Sequence, residues 1–170
     1  MSKTNYTQIL EELLEGFQQG TIKKGDLTPE TLDSLRKLAG IGSVTIVNGK
    51  HFGWVGMQHD WYNGTIDNVM YIGRANRRLG LLESPLHNPY KEKEYGREGC
   101  IQKFRQRLWE EFKAYRSTKF GTERIYLALH LKTLVEGGEN VTLVCHCSPK
   151  RCHGEVIRNF IYWAIKEKID

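Results

Sequence analysis

Apolar residues Ile9, Leu10, Leu13, Leu14 and Phe17 recur at helical spacing and stop before Gly20, which predicts an amphipathic first helix. Thr28-Pro29 reads as the N-cap and first position of a second helix, with Leu32, Leu35 and Leu38 along one side and Gly40 closing it. The pattern then changes period. Residues 44–47, the turn pair Asn48-Gly49 and residues 52–55 predict a β-hairpin, weakened by Gly53 and Gly56.

After a polar and aromatic stretch at 57–68, residues 69–72 form a short buried-strand pattern ending at Gly73-Arg74. Residues 75–95 lack periodicity and contain Ser84-Pro85-Leu86 and Asn88-Pro89; irregular segments of this length are usually functional or mobile. From Gly96 the spacing of Ile101, Phe104, Leu108, Trp109, Phe112 and Tyr115 predicts a long helix. A further helix over 122–136 ends at Gly137-Gly138, residues 141–144 read as a strand, and Val156, Ile157, Phe160, Ile161 and Ala164 mark a last helix.

Strands separated by helices predict parallel pairing, hence an α/β fold: a small Rossmann-like sheet in three or two layers with flanking helices. The N-terminal helical pair and the β-hairpin precede it. The expected division is a helical extension over 1–40 and an α/β domain over 41–170, with no internal repeat or low-complexity segment.

Composition narrows the partners. A formal net charge of +5 and a pI near 9.0 favour an anionic small molecule and permit nucleic acid, because the excess is modest and spread along the chain. The polar residues 1–8 do not resemble a secretory signal, and no apolar run approaches a membrane span. A cytoplasmic setting is therefore expected, in which clustered cysteines are metal-binding, catalytic or buried more often than disulfide-bonded.

Three of the four cysteines fall in the run Cys145-His146-Cys147-Ser148-Pro149-Lys150-Arg151-Cys152-His153-Gly154, at a predicted strand-to-helix junction. Alternation along a strand turns Cys145 and Cys147 one way and His146 the other. A helix N-terminus binds anions and lowers the pKa of a nearby thiol, so Ser148 and Gly154 are candidate ligand contacts, and Cys152 or His153 the candidate catalytic group. Zinc held by Cys145, Cys147, Cys152 and His153 is the less favoured alternative, since adjacent Cys152 and His153 are poorly placed to share one ion. Buried, inert cysteines are the plainest reading of any one of them.

Gly73-Arg74 follows a strand predicted to run parallel to 141–144, so both would lie on the carboxyl edge, where ligands of open α/β sheets bind. Arg74 is the candidate anion clamp, with residues 84–90 as a wall or lid. Lys103, Arg105, Arg107, Lys113 and Arg116 suit a solvated helix face better than a nucleic-acid surface.

The ordered set Tyr71-Ile72-Gly73-Arg74, Ser84-Pro85-Leu86-His87-Asn88-Pro89-Tyr90, Arg97-Glu98 with Cys100, and the Cys145 to Gly154 run resembles the bacterial and phage domain-of-unknown-function family DUF4326, over about 69–170. The resemblance implies that Arg74, Ser84, Pro85, Asn88, Pro89, Cys145, Cys147, Pro149, Cys152, His153 and Gly154 occupy motif positions. His146, Glu155 and His87 stand where that pattern usually carries tryptophan, aspartate and glycine. No reaction comes with it. The expectation is a domain that binds or processes a nucleotide-like or other phosphorylated ligand, with Gly73, Arg74, Ser84, Asn88, Arg97, Cys145, Cys147, Ser148 and Gly154 as ligand contacts. The alternatives are a nucleic-acid-associated module with a structural cysteine cluster and an interaction module built on the first helix.

Overall fold

The computed structural model describes residues 36–37, 40–52 and 68–169. The helix predicted over 9–17, and most of the second one, lie outside the described residues. Three strands form one parallel sheet: β1 (Val44–Asn48), β2 (Val69–Tyr71) and β3 (Val141–Cys145), in the order β1-β3-β2. The helices are a four-residue turn α1 (Gly49–Phe52), then α2 (Glu92–Thr118), α3 (Glu123–Glu136) and α4 (His153–Lys166). The fold is therefore mixed α/β, with β2 beside β3 in the parallel register the spacing predicted. No described helix is long and apolar enough to cross a membrane.

The central strand sets the layering. Val141, Leu143 and Cys145 of β3 alternate into a core shared with Met70, Ile72 and Val44 and with the helices through Phe104, Phe112, Ile125, Leu131, Ile157 and Phe160. Each of these larger side chains, buried in full, contributes roughly 1.5–3 kcal/mol relative to exposure. Where α2 meets α4, Trp109, Phe112, Phe160 and Trp163 pack edge to face, with the Trp109 and Trp163 ring centroids 4.4 Å apart.

The helix ends follow local chemistry. The Thr122 side chain accepts from the Ile125 N–H at the start of α3, and Gly138 beyond its end has a φ of 94°. Helix α2 starts one turn earlier than predicted, at Glu92, but is broken at Gly96, whose φ of 66° and ψ of 171° are not helical.

The hairpin corner predicted at Asn48-Gly49 is not formed. β1 pairs in parallel with β3, and Asn48-Gly49 opens the helical turn α1. The reason lies in the Asn48 side chain. Its Nδ2 donates to the carbonyls of Ser148 at 2.7 Å and His146 at 3.1 Å, and its Oδ1 accepts from the Lys50 N–H at 2.9 Å. Asn48 thus acts as a cap bound to the turn after β3, not as the corner of a hairpin. Residues 53–55, the rest of the predicted second strand, lie outside the described residues.

The start of β1 is held from three sides. Val44 N–H donates to the Tyr162 hydroxyl, Ser43 bonds to the Asn140 side chain, and Gly42 N–H donates to the Val135 carbonyl at 2.7 Å. A Cβ at Gly42 would stand 1.8 Å from the Glu139 carbonyl oxygen, a main-chain atom unable to yield cheaply. Gly42→Ala is expected to cost on the order of 1–3 kcal/mol, read as a lower denaturant midpoint at unchanged slope.

Candidate functional site

Strands β2 and β3 end side by side, and α4 begins just beyond β3. A cavity of about 380 Å³ opens at this carboxyl edge, between the strand ends, the broken start of α2 and the start of α4. Of the predicted contacts, Gly73, Arg74, Asn88, Arg97, Cys145, Cys147, Cys152 and His153 line it together. Tyr90, Glu92, Cys100, His146 and Arg151 also line it and were not predicted as contacts. Their signal was present in the sequence for Tyr90 and Arg151, inside motifs already singled out; for Glu92 it was not.

Ser84, Ser148 and Gly154 do not line the cavity. Ser84 is fully buried: its N–H donates to the Gly73 carbonyl and its Oγ accepts from the Leu86 N–H, so it shapes the loop. The Ser148 carbonyl receives Asn48. Gly154 packs the helix onto the sheet, since a Cβ there would lie 3.1 Å from Ile72 and 3.3 Å from Ile46. At Gly154 the helix approaches side chains of the β-sheet.

Arg74 fastens the long loop. Its Nε donates to the Asn88 carbonyl at 2.9 Å and its Nη2 to the Tyr90 carbonyl at 2.8 Å. The Asn88 side chain in turn donates to the Cys100 carbonyl and accepts from the Tyr90 N–H. Residues 84–90 are therefore a fixed wall, and Arg74 is oriented by main-chain acceptors that leave its positive charge in place.

Tyr71 stands beneath Gly73. Its hydroxyl donates to the Arg74 carbonyl at 2.6 Å and lies 2.8 Å from His146 Nε2. With the phenol proton committed to the carbonyl, His146 presents its N–H to the tyrosine oxygen. Burial, followed by the negative charge of the neighbouring Cys145 and Cys147, pushes the Tyr71 hydroxyl up to about 12, so it stays protonated. A Cβ at Gly73 would fall 2.2 Å from that hydroxyl oxygen, so the tyrosine occupies the space a side chain would need.

His153 is buried, and its Nε2 donates to the Ile72 carbonyl at 2.8 Å while the ring meets Phe104 edge to face. Burial holds it down to about 4. A neutral ring tied to the end of β2 joins α4 to the sheet and is poorly disposed to be a general acid.

The three thiols of the motif form one cluster. Cys152 caps α4, its Sγ accepting from the Gly154 N–H at 3.4 Å, and stands 3.8 Å from the Cys145 sulfur. Cys145 Sγ also accepts from the N–H groups of Cys147 and Ser148 at 3.4 Å. Cys147 is the half-buried member. Hydrogen bonds from Cys145 and Cys152, with Arg97 and His153 adding to them, hold its thiol well below the usual range. The Cys152 thiol is pushed far up, chiefly because it gives its proton to this cluster, and Cys145 is raised through its bond to Cys147. Of the groups expected to react, Cys152 and His153 are buried at the helix start, whereas Cys147 is partly exposed.

Among the described residues no group of three or more His, Cys, Asp or Glu side chains is arranged to hold a metal ion.

Arginines complete the rim. Arg97 pairs with Glu92 at 2.9 Å and donates to the Arg151 carbonyl, while Arg151 reaches Glu98 at 2.9 Å and Glu155 at 3.4 Å. On α2, Arg107 pairs with Glu111 and Lys103 lies over the Tyr95 ring, so part of the basic face is engaged within the fold.

Together, the parallel sheet and its edge cavity define a small α/β protein with a thiol-lined cavity. Residues 55–163 match the profile of the family described as Domain of unknown function (DUF4326), and the chain belongs to that family. The match begins earlier than the 69 anticipated and contains every cavity residue, whereas strand β1 lies outside it. No curated protein and no solved structure matches the chain.

Two outcomes follow from these groups. The unfolded chain protonates His153 below about 6.5 while the folded one resists until about 4, so this residue's contribution is complete above that window and is lost as pH falls through it. The loss amounts to roughly 3 kcal/mol, and denaturation of His153→Gln across the same window should show a visibly flatter profile. Alkylation of Cys147 by iodoacetamide should vary little between about pH 6 and pH 8, whereas Cys100 should gain steeply, as followed by peptide mass mapping.

Proposed function

We propose that this protein binds and processes a compact phosphorylated or nucleotide-like molecule in the edge cavity. The observation that carries the reading is the meeting of Arg74 and the thiol cluster on one cavity wall. A volume of about 380 Å³ is at the lower end for small-molecule sites, which argues for a mononucleotide or sugar phosphate over a larger cofactor. Nε and Nη2 of Arg74 hold the loop that shapes the site, which leaves Nη1 and the second Nη2 hydrogen as donors suited to phosphate.

Within this reading Cys147 is the nucleophile. It is accessible from the cavity, and the hydrogen bonds that favour its thiolate come from neighbours already in position. Arg97 serves both the thiolate and the anion. Cys145 and Cys152 position Cys147 and keep its proton.

Adenosine monophosphate, ribose 5-phosphate and inorganic phosphate, with adenosine as the uncharged control, probe the proposal through the rate of Cys147 alkylation. At least one phosphorylated probe should slow alkylation by roughly tenfold near saturation, by simple mass action, and adenosine should do much less. Unchanged alkylation with every phosphorylated probe would overturn the reading.

A further inference from the structure

Cys145 and Cys152 are buried, line the same cavity and stand with their sulfurs in contact. We infer that this pair is a site of oxidative modification: it forms a reversible disulfide that joins the end of β3 to the start of α4 and leaves Cys147 free. The inference does not rest on which ligand the cavity takes.

The geometry carries it. The two sulfurs are 3.8 Å apart, with the Cys152 S–H directed at Cys145. A disulfide needs about 2 Å, so each sulfur has to move by only about 1 Å, within the reach of side-chain rotation. Both cysteines are carried by main chain that is already fixed. Cys145 ends the central strand, and Cys152 caps α4, whose first turn is tied to β2 by the His153 bond to the Ile72 carbonyl at 2.8 Å. The turn between them is held as well. The Asn48 side chain donates to the carbonyls of His146 and Ser148, and the Lys150 N–H donates to the Cys147 carbonyl at 3.0 Å. Bonding the pair therefore demands little further ordering of the chain.

The other thiols are placed worse. Cys100 lines the same cavity but gives its S–H to the Arg97 carbonyl at 3.0 Å. A bond between Cys145 and Cys147 would close a ring across one intervening residue, which strains the disulfide dihedrals.

The oxidant is a low-molecular-weight disulfide, and the cavity of about 380 Å³, lined by both cysteines, is its way in. The Cys152 sulfur, which receives the Gly154 N–H at the start of α4, attacks one sulfur of the reagent. A mixed disulfide forms, the S–S bond of the reagent breaks, and the released thiolate takes the Cys152 proton. The Cys145 sulfur then attacks Cys152; the protein disulfide forms, the mixed disulfide breaks, and the second thiolate leaves with the Cys145 proton. Two protein thiols lose two electrons and the reagent is reduced to two thiols. A reducing thiol runs the same steps backwards.

The test equilibrates the whole protein, without oxygen, in 2-mercaptoethanol and bis(2-hydroxyethyl) disulfide, then alkylates free thiols in denaturant and maps the products by mass spectrometry. Peptides joined through Cys145 and Cys152 should be lighter by two hydrogens and separate in dithiothreitol. They should exceed all disulfides that join Cys147 to another cysteine of the chain by roughly tenfold or more, because prepositioning raises effective concentration. Cys100 and Cys147 should be recovered as alkylated thiols or as adducts of the reagent. In Cys147→Ser the Cys145–Cys152 bond should form to a similar extent. A dominant protein disulfide containing Cys147 or Cys100, or no protein disulfide at an oxidant excess that saturates Cys147 with reagent, would overturn the inference. Loss of the bond in folded Cys147→Ser would do the same. The wild-type map needs no variant to fold, and a failure of phosphate to protect Cys147 would leave it unchanged.

Discussion

Parallel pairing of β3 on both of its edges is the constraint on which the structure depends. A strand flanked on each side must bury both faces, and residues 141–145 meet that demand with an almost uninterrupted run of Val, Leu and Cys. Because both neighbours run the same way, all three carboxyl ends emerge together. The main chain of β2 then turns at Gly73, that of β1 at Gly49, and that of β3 at His146, so the ends of three segments distant in sequence lie side by side.

What closes this edge is a set of side chains bonded to main-chain atoms. Asn48 ties β1 to the turn after β3, Arg74 ties β2 to the loop at 88–90, and His153 ties α4 back to Ile72. Each partner is a carbonyl that would otherwise lack a donor at the end of a strand or inside a loop. Asn48 and His153 have polar atoms taken up in these ties, Arg74 both ties the loop and lines the cavity, and Cys147 lines it without such a tie to a distant carbonyl.

Much of this could be read from the chain and some could not. The strand at 141–144 and the helix bearing Ile157, Phe160 and Ile161 were legible because their periods are clean and their buried faces are long. The pairing of β2 with β3 followed from the intervening helices. The partner of β1 did not: Asn48-Gly49 is a hairpin signal locally, and the carbonyls that redirect Asn48 lie about 100 residues away. Similarly, the meeting of Gly73-Arg74 with the cysteine run at one sheet edge was legible, but the unequal burial of Cys145, Cys147 and Cys152 was not, because it depends on how the helix start covers the sulfurs, which residue spacing does not encode.

The break at Gly96 separates α2 into parts with different obligations. Beyond it, a long rod presents Ile101, Phe104, Leu108 and Phe112 to the core and cannot shift without disturbing the whole stack. Before it, a single turn carries Glu92 to the rim, and the left-handed φ at Gly96 frees its direction from the rod's hydrogen-bond ladder. The mouth of the cavity at Glu92 and the packed interior are therefore built by two stretches of one helix whose directions are set separately.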